Sequence, residues 1–125
     1  MALGAEPAAE LWQAATEGRF TLTAEAAHEM AGHYQWYADE LRHRADEIAL
    51  QQKLDGFGSL NSAQHLQAGF ERKAVQAFEA YGKAQESALR MKAAVLRAAS
   101  LTEEVDAANT AALNAATRKI TDVKA

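Results

Sequence analysis

Leu54-Asp55-Gly56-Phe57-Gly58-Ser59-Leu60-Asn61 separates two long stretches of helical periodicity, and its reading decides the fold. Two glycines and an aspartate so close together do not continue a helix comfortably, so residues 55–61 are expected to turn. Asn61 with Gln64 three residues on has the spacing of a capping box, which would open a new helix near Ser62. Before the turn, Ala27, Tyr34, Leu41 and Ile48 recur at intervals of seven, with Met30, Tyr37 and Ala45 between them. Steps of three and four draw one apolar stripe, so a helix is expected over 22–54. After the turn, Leu66, Phe70, Ala74, Ala77, Tyr81, Ala84, Ala88, Met91, Val95, Ala98, Val105, Ala112 and Ile120 continue the pattern. They predict a second long helix over 62–117, with Ser100-Leu101-Thr102 a candidate interruption and residues 117–125 expected to fray.

Towards the N-terminus, Pro7 suits the first turn of a helix and Gly18 suits a left-handed cap, so a short helix is expected over 7–17. Arg19-Phe20-Thr21-Leu22-Thr23 reads as an extended link. Thr21 or Thr23 can accept the free N–H groups of the next helix, with Glu25 in its first turn.

These segments predict a single all-α domain over 1–125: an antiparallel helical hairpin with a short N-terminal helix. A short turn sets a register that brings Tyr34 near Tyr81, Tyr37 near Phe78 and Leu41 near Ala74. At 1.5 Å per residue the arms span roughly 50 and 80 Å. The overhang from about Val95 onward would be covered by the N-terminal helix, with Trp12 near Val105. Residues 22–54 carry six acids against three bases, and residues 72–97 six bases against two acids. The arms are therefore complementary, which biases orientation without holding the fold.

Two helices enclose no core, so the outer side of each stripe would stay wet, and an exposed apolar patch usually marks a partner surface. A four-helix bundle formed on dimerisation is expected to close it, with Tyr34, Tyr37, Phe70, Phe78, Tyr81 and Met91 on the shared surface. The rival arrangement is a monomeric three-helix bundle.

The chain has 125 residues, is 49% hydrophobic and 24% charged, and has one proline and no cysteine. Alanine makes up about a quarter of it. This excludes a disulfide scaffold and a thiolate zinc site. A net charge of −4 argues against a general nucleic-acid or anionic-membrane binder. No stretch approaches the ~18 apolar residues of a membrane span, and the first residues carry neither a basic head nor an apolar run. Neither stable membrane insertion nor a cleaved signal peptide is expected.

The chemical constellations are weak. His28 and His33 are five residues apart, whereas a helical zinc motif needs four. Glu25-x-x-His28 and Glu40-x-x-His43 match the di-iron pair but lie on one helix, and His65 stands alone beyond the turn. Gly56-Phe57-Gly58 lacks the Lys-Ser/Thr of a phosphate loop. No catalytic residue, metal site or cofactor is expected.

The turn Gly56-Phe57-Gly58-Ser59-Leu60, leading into Ser62-Ala63-Gln64-x-Leu66-x-x-Gly69-Phe70-x-x-Lys73-Ala74, resembles actinobacterial relatives of the early-secreted-antigen, or WXG-type, family of type VII secretion substrates. Phe20-Thr21-Leu22-Thr23-Ala24-Glu25 is also similar to that family, and the resemblance spans roughly residues 20–113. It implies a non-enzymatic hairpin that pairs as a homodimer or heterodimer with a second helical hairpin. It implies export without a cleaved signal, hence a secreted chain that is cytoplasmic beforehand, with a secretion ATPase as a further partner. The family's export mark is a tyrosine with an acid four residues later, just after the hairpin. Here Thr102 and Asp106 keep the interval but not the tyrosine, and Phe57 stands in for the tryptophan of the turn. The departures leave two readings: a substrate or co-substrate carried by a partner, or a cytosolic adaptor that is not exported.

Overall fold

The structure, a computed structural model, describes residues 4–123. Among these residues it is all-helical: α1 (Ala5–Thr16), α2 (Ala24–Ala49), α3 (Asn61–Ala98) and α4 (Thr102–Thr117). Short 3-10 turns follow α2 at Leu50–Gln52 and α4 at Ile120–Asp122. α3 is the hub against which α1, α2 and α4 each pack.

Local chemistry sets the first boundaries. Gly18 takes φ 72°. The N–H of Arg19 donates to Ala14 O and that of Gly18 to Ala15 O, closing α1 with the two bonds of a Schellman motif. The Gln13 amide, and then Arg19, hold the neighbouring Glu17 carboxyl below its usual range. Thr23 is the cap that opens α2: its hydroxyl accepts from Ala26 N at 3.1 Å.

The second long helix is not continuous. α3 stops at Ala98, and the chain reverses at Ser100, which takes φ 58°. Leu101 N donates to Leu96 O and Ser100 N to Arg97 O, a second Schellman motif with serine in the left-handed seat. Leu22 N caps the end by donating to Ala98 O at 3.0 Å. What offsets a left-handed serine is burial. Leu101 and Val105 join Leu96, Val95, Ala93, Ala108 and Ala31 in one cluster, with Leu11, Trp12, Leu22 and Tyr34 packed on it. α4 then returns along α3, where Ala112 and Ala115 share a second cluster with Ala38, Ala88 and Leu89. Trp12 and Val105 do meet in one cluster, but there is no overhang for α1 to cover.

Below, Ala45 and Ala49 of α2 pack with Phe78, joined by Ile48, Tyr81, Ile120 and Val123. Within the described residues the tail is therefore docked rather than frayed. Lys124 and Ala125 lie outside the described residues.

The expected register is displaced by roughly two to three helical turns. Gln35 accepts from Lys92 at 2.7 Å, and Ala38 clusters with Ala88 rather than with Phe78. The cause is the connection. α2 has 26 residues and α3 has 38, so α3 is longer by roughly 18 Å at 1.5 Å per residue. Residues 50–60 fold back along the protruding turns instead of turning tightly. Leu54 N donates to Glu71 Oε2 at 2.7 Å, and the Gln67 amide donates to Leu54 O at 2.6 Å. Gln64 does not cap Asn61; its amide donates to the Gly58 carbonyl. Nor do the arms pair by charge: among the described residues no ion pair joins α2 to α3, and His28 and Asp46 of α2 pair instead with Glu104 and Arg118.

Candidate partner surface

The fold closes one end of the molecule and leaves the other open. Around residues 85–98 of α3, all four helices contribute to the core, so the chain supplies for itself the cover that a second copy was expected to bring. Towards Asn61, beyond Val75 where the tail shares a cleft with α3, it is α2 and the connecting segment that lie against α3.

That open end carries large apolar side chains in water. Leu60 is 73% exposed, Leu50 57%, Leu66 55% and Phe70 53%. A groove of about 870 Å³ runs between α2, the connection and α3. Ile48, Leu54, Phe57, Phe70, Ala74, Ala77 and Tyr81 line it, with Arg44, Glu47 and Lys73 among its charged walls. Arg44 reaches Glu47 at 3.4 Å, leaving the mouth of the groove nearly neutral on that side. Gly56 and Gly58 take φ 82° and 85°. The turn they form swings Phe57 back onto α3, its ring centroid 6.1 Å from that of Phe70. Isolated surface leucines need no explanation, but Leu50, Leu60 and Leu66 stand at the same end of the molecule as this apolar groove.

The groove continues up one flank. At 100° per residue, Met30, Tyr37, Leu41 and Ile48 of α2 fall within about 40° of one another. On α3, Leu66, Phe70, Ala77, Tyr81, Ala84 and Met91 fall within about 80°. Tyr37 and Met30 are exposed, and Met91, Ala84 and Tyr81 half-buried. Trp36 lies on the opposite side of α2 from its buried alanines and is not part of this flank.

The expected surface residues therefore divide. Tyr37, Phe70, Tyr81 and Met91 lie on the flank. Tyr34 is half-buried and packs on the upper core, and Phe78 is 3% exposed, beneath Arg118. Sequence reasoning places Phe78 on the shared surface and expects the tail to fray, whereas the docked tail covers it. It missed Leu50, Leu54 and Leu60, whose clue was three leucines around an otherwise polar turn.

No family model, curated protein or solved structure matches this chain. The resemblance to WXG-type substrates thus rests on the motifs at residues 20–25 and 56–74 alone. Thr102 opens α4 and Asp106 lies one turn later, both exposed. His28, which shares the Glu-x-x-His spacing with Glu25, meets Glu104 at 2.9 Å. Among the described residues no three acid or histidine groups gather as a metal cage, and no helix is long and apolar enough to cross a membrane.

The surface area gives a scale. The chain exposes 8123 Å², whereas a compact monomer of 13.5 kDa exposes roughly 6500 Å².

Proposed function

We propose that the protein is a non-enzymatic helical binding module that docks a second helical hairpin, its own copy or another chain, along the α2–α3 flank and its open end. One observation carries this reading: a chain that closes its own core at one end leaves a groove and four large exposed apolar side chains at the other. Burying an apolar side chain of leucine size contributes about 1.5–3 kcal/mol, so a few such contacts offset the cost of association. Read with the Gly56-Phe57-Gly58 motif, the module is a substrate or co-substrate of a type VII secretion system, travelling with its partner and recognised by a secretion ATPase.

A second reading, a cytosolic adaptor without export, is favoured by Thr102 standing where the export mark has tyrosine. Two measurements decide. Sedimentation of the purified chain, alone and with Phe70→Asp, tests docking; a species that stays monomeric at every concentration and captures no helical chain in its host overturns it. Immunodetection in culture filtrate against lysate tests export; presence in lysate alone favours the adaptor.

A further inference from the structure

The reversal between α3 and α4 is at odds with its own sequence. Ser100 is the one non-glycine residue at positive φ among those described, at 58°. The link Ala99-Ser100-Leu101 holds neither glycine nor proline, and alanine and leucine are strong helix formers. Helix propensity therefore runs through the link with little opposition, which is why periodicity reads one helix over 62–117 with only a candidate interruption at Ser100-Leu101-Thr102. Besides its backbone hydrogen bonds, the bend is held by what α4 buries on folding back, and that face is slight: Val105, Ala108, Ala112 and Ala115. Strained short hinges of this kind invite exchange of the hinged element between copies.

We propose that this chain forms a domain-swapped homodimer in which α4 swings out about Ser100 and docks on α3 of a second copy. The occupant of the vacated face is fixed by identity: the α4 of a second copy presents the same side chains to the same site. Both Ser100 residues leave the left-handed region, and the orphan N–H and C=O groups at the reversal can pair within a straighter helix. The bond from Leu22 N to Ala98 O is given up. Because association costs translational freedom, the exchange grows with concentration. On α3 the face that receives α4 and the apolar face of α4 itself lie about a quarter-turn apart around a straight helix. The opened helices therefore cross obliquely, with the small Ala98 and Ala99 near the crossing. This interface is separate from the flank proposed above and does not depend on it.

The test uses the full chain in a Phe70→Asp background, to suppress association at the open end. Lys83 and Ala116 line one cleft in the closed form. As Lys83→Cys and Ala116→Cys they take spin labels in a chain without other cysteines. Doubly labelled chain is diluted into excess unlabelled chain, refolded at high concentration, and separated by size. The monomer should give a short distance. The dimer should give an intrachain distance near 50 Å, that of about 33 residues of helix at 1.5 Å each. Ser100→Gly removes about a fivefold penalty per hinge, so with two hinges it should lower the dimerisation constant roughly 25-fold. Ser100→Ala, a better helix former that keeps the penalty, should raise it. A dimer retaining the short intrachain distance, no dimer in any of the three proteins, or a Ser100→Gly dimer as strong as the parent would each overturn the exchange.

Discussion

The guanidinium of Arg118 lies 5.5 Å from the centre of the Phe78 ring while pairing with Asp46 at 2.5 Å, so one side chain joins the tail to both α3 and α2. Its side chain is only 18% exposed. A cation held over a ring at a half-buried site contributes about 1 kcal/mol, and the partly exposed ion pair somewhat less. Arg118→Ala should therefore destabilise the fold by about 1–1.5 kcal/mol. It should also raise amide exchange across residues 118–123 well before the core of α3 opens. Asp46→Asn, which keeps the ring contact, should cost about half as much. Unchanged exchange in the tail of Arg118→Ala would show that Ile120 and Val123 alone hold it.

Gly18 and Gly69 should respond to alanine with opposite signs. Gly18 sits at φ 72° with open space around it, so the cost of a Cβ there is purely backbone strain, about 1 kcal/mol. Gly69 lies inside α3, where an added Cβ would meet only the end of Arg72 at 3.9 Å. Gly69→Ala should stabilise by about 0.5–1 kcal/mol through helix propensity and a less flexible unfolded chain. Paired thermal melts read both. Equal shifts would remove the Schellman account of how α1 ends.

Leu96 and Val95 are the largest fully buried side chains in a core otherwise dominated by alanine. Truncating one of so few large groups leaves a cavity that neighbouring Cβ atoms cannot fill. Leu96→Ala should cost about 3 kcal/mol and lower the melting temperature by about 10 °C. Leu60→Ala, at a side chain 73% exposed, should stay within about 0.5 kcal/mol of the parent.

These contrasts mark what periodicity could and could not reveal. The existence of α1, α2 and α3 was legible, because 3.6-residue stripes and the glycines at 18, 56 and 58 are local signals. The break at Ser100-Leu101-Thr102 was legible as a candidate interruption, but the reversal of direction was not, since nothing in Ala99-Ser100-Leu101 prefers a left-handed turn; Leu101 and Val105 enforce it only after they find Leu96 and Ala31. A further local hint was Glu103-Glu104, acids suited to a helix's first turn. The register was missed for a related reason: the length of a turn can be read from glycines, but its folding back through Leu54, Glu71 and Gln67 cannot. Of the apolar flank beside the groove, Phe70, Tyr81, Tyr37 and Met91 followed from the stripe. Phe78 did not, because a stripe shows that a residue is apolar and leaves open which of two neighbours covers it.

Phe70 and Phe78 are two turns apart on α3 and separate folding from docking. Phe78 is 3% exposed and packs with Ala45 and Ala49, so Phe78→Ala should cost about 3–4 kcal/mol and broaden or abolish the melt. Phe70 is 53% exposed, with its ring beside that of Phe57 on the wall of the groove. Phe70→Asp should leave the helical signal and the melting temperature nearly unchanged, yet weaken association at the open end at least tenfold, because docking would bury an unpaired carboxylate. Sedimentation over a hundredfold range of concentration reads the association, and circular dichroism reads the fold. If Phe70→Asp associates as the parent does while remaining folded, the open end is not the docking surface.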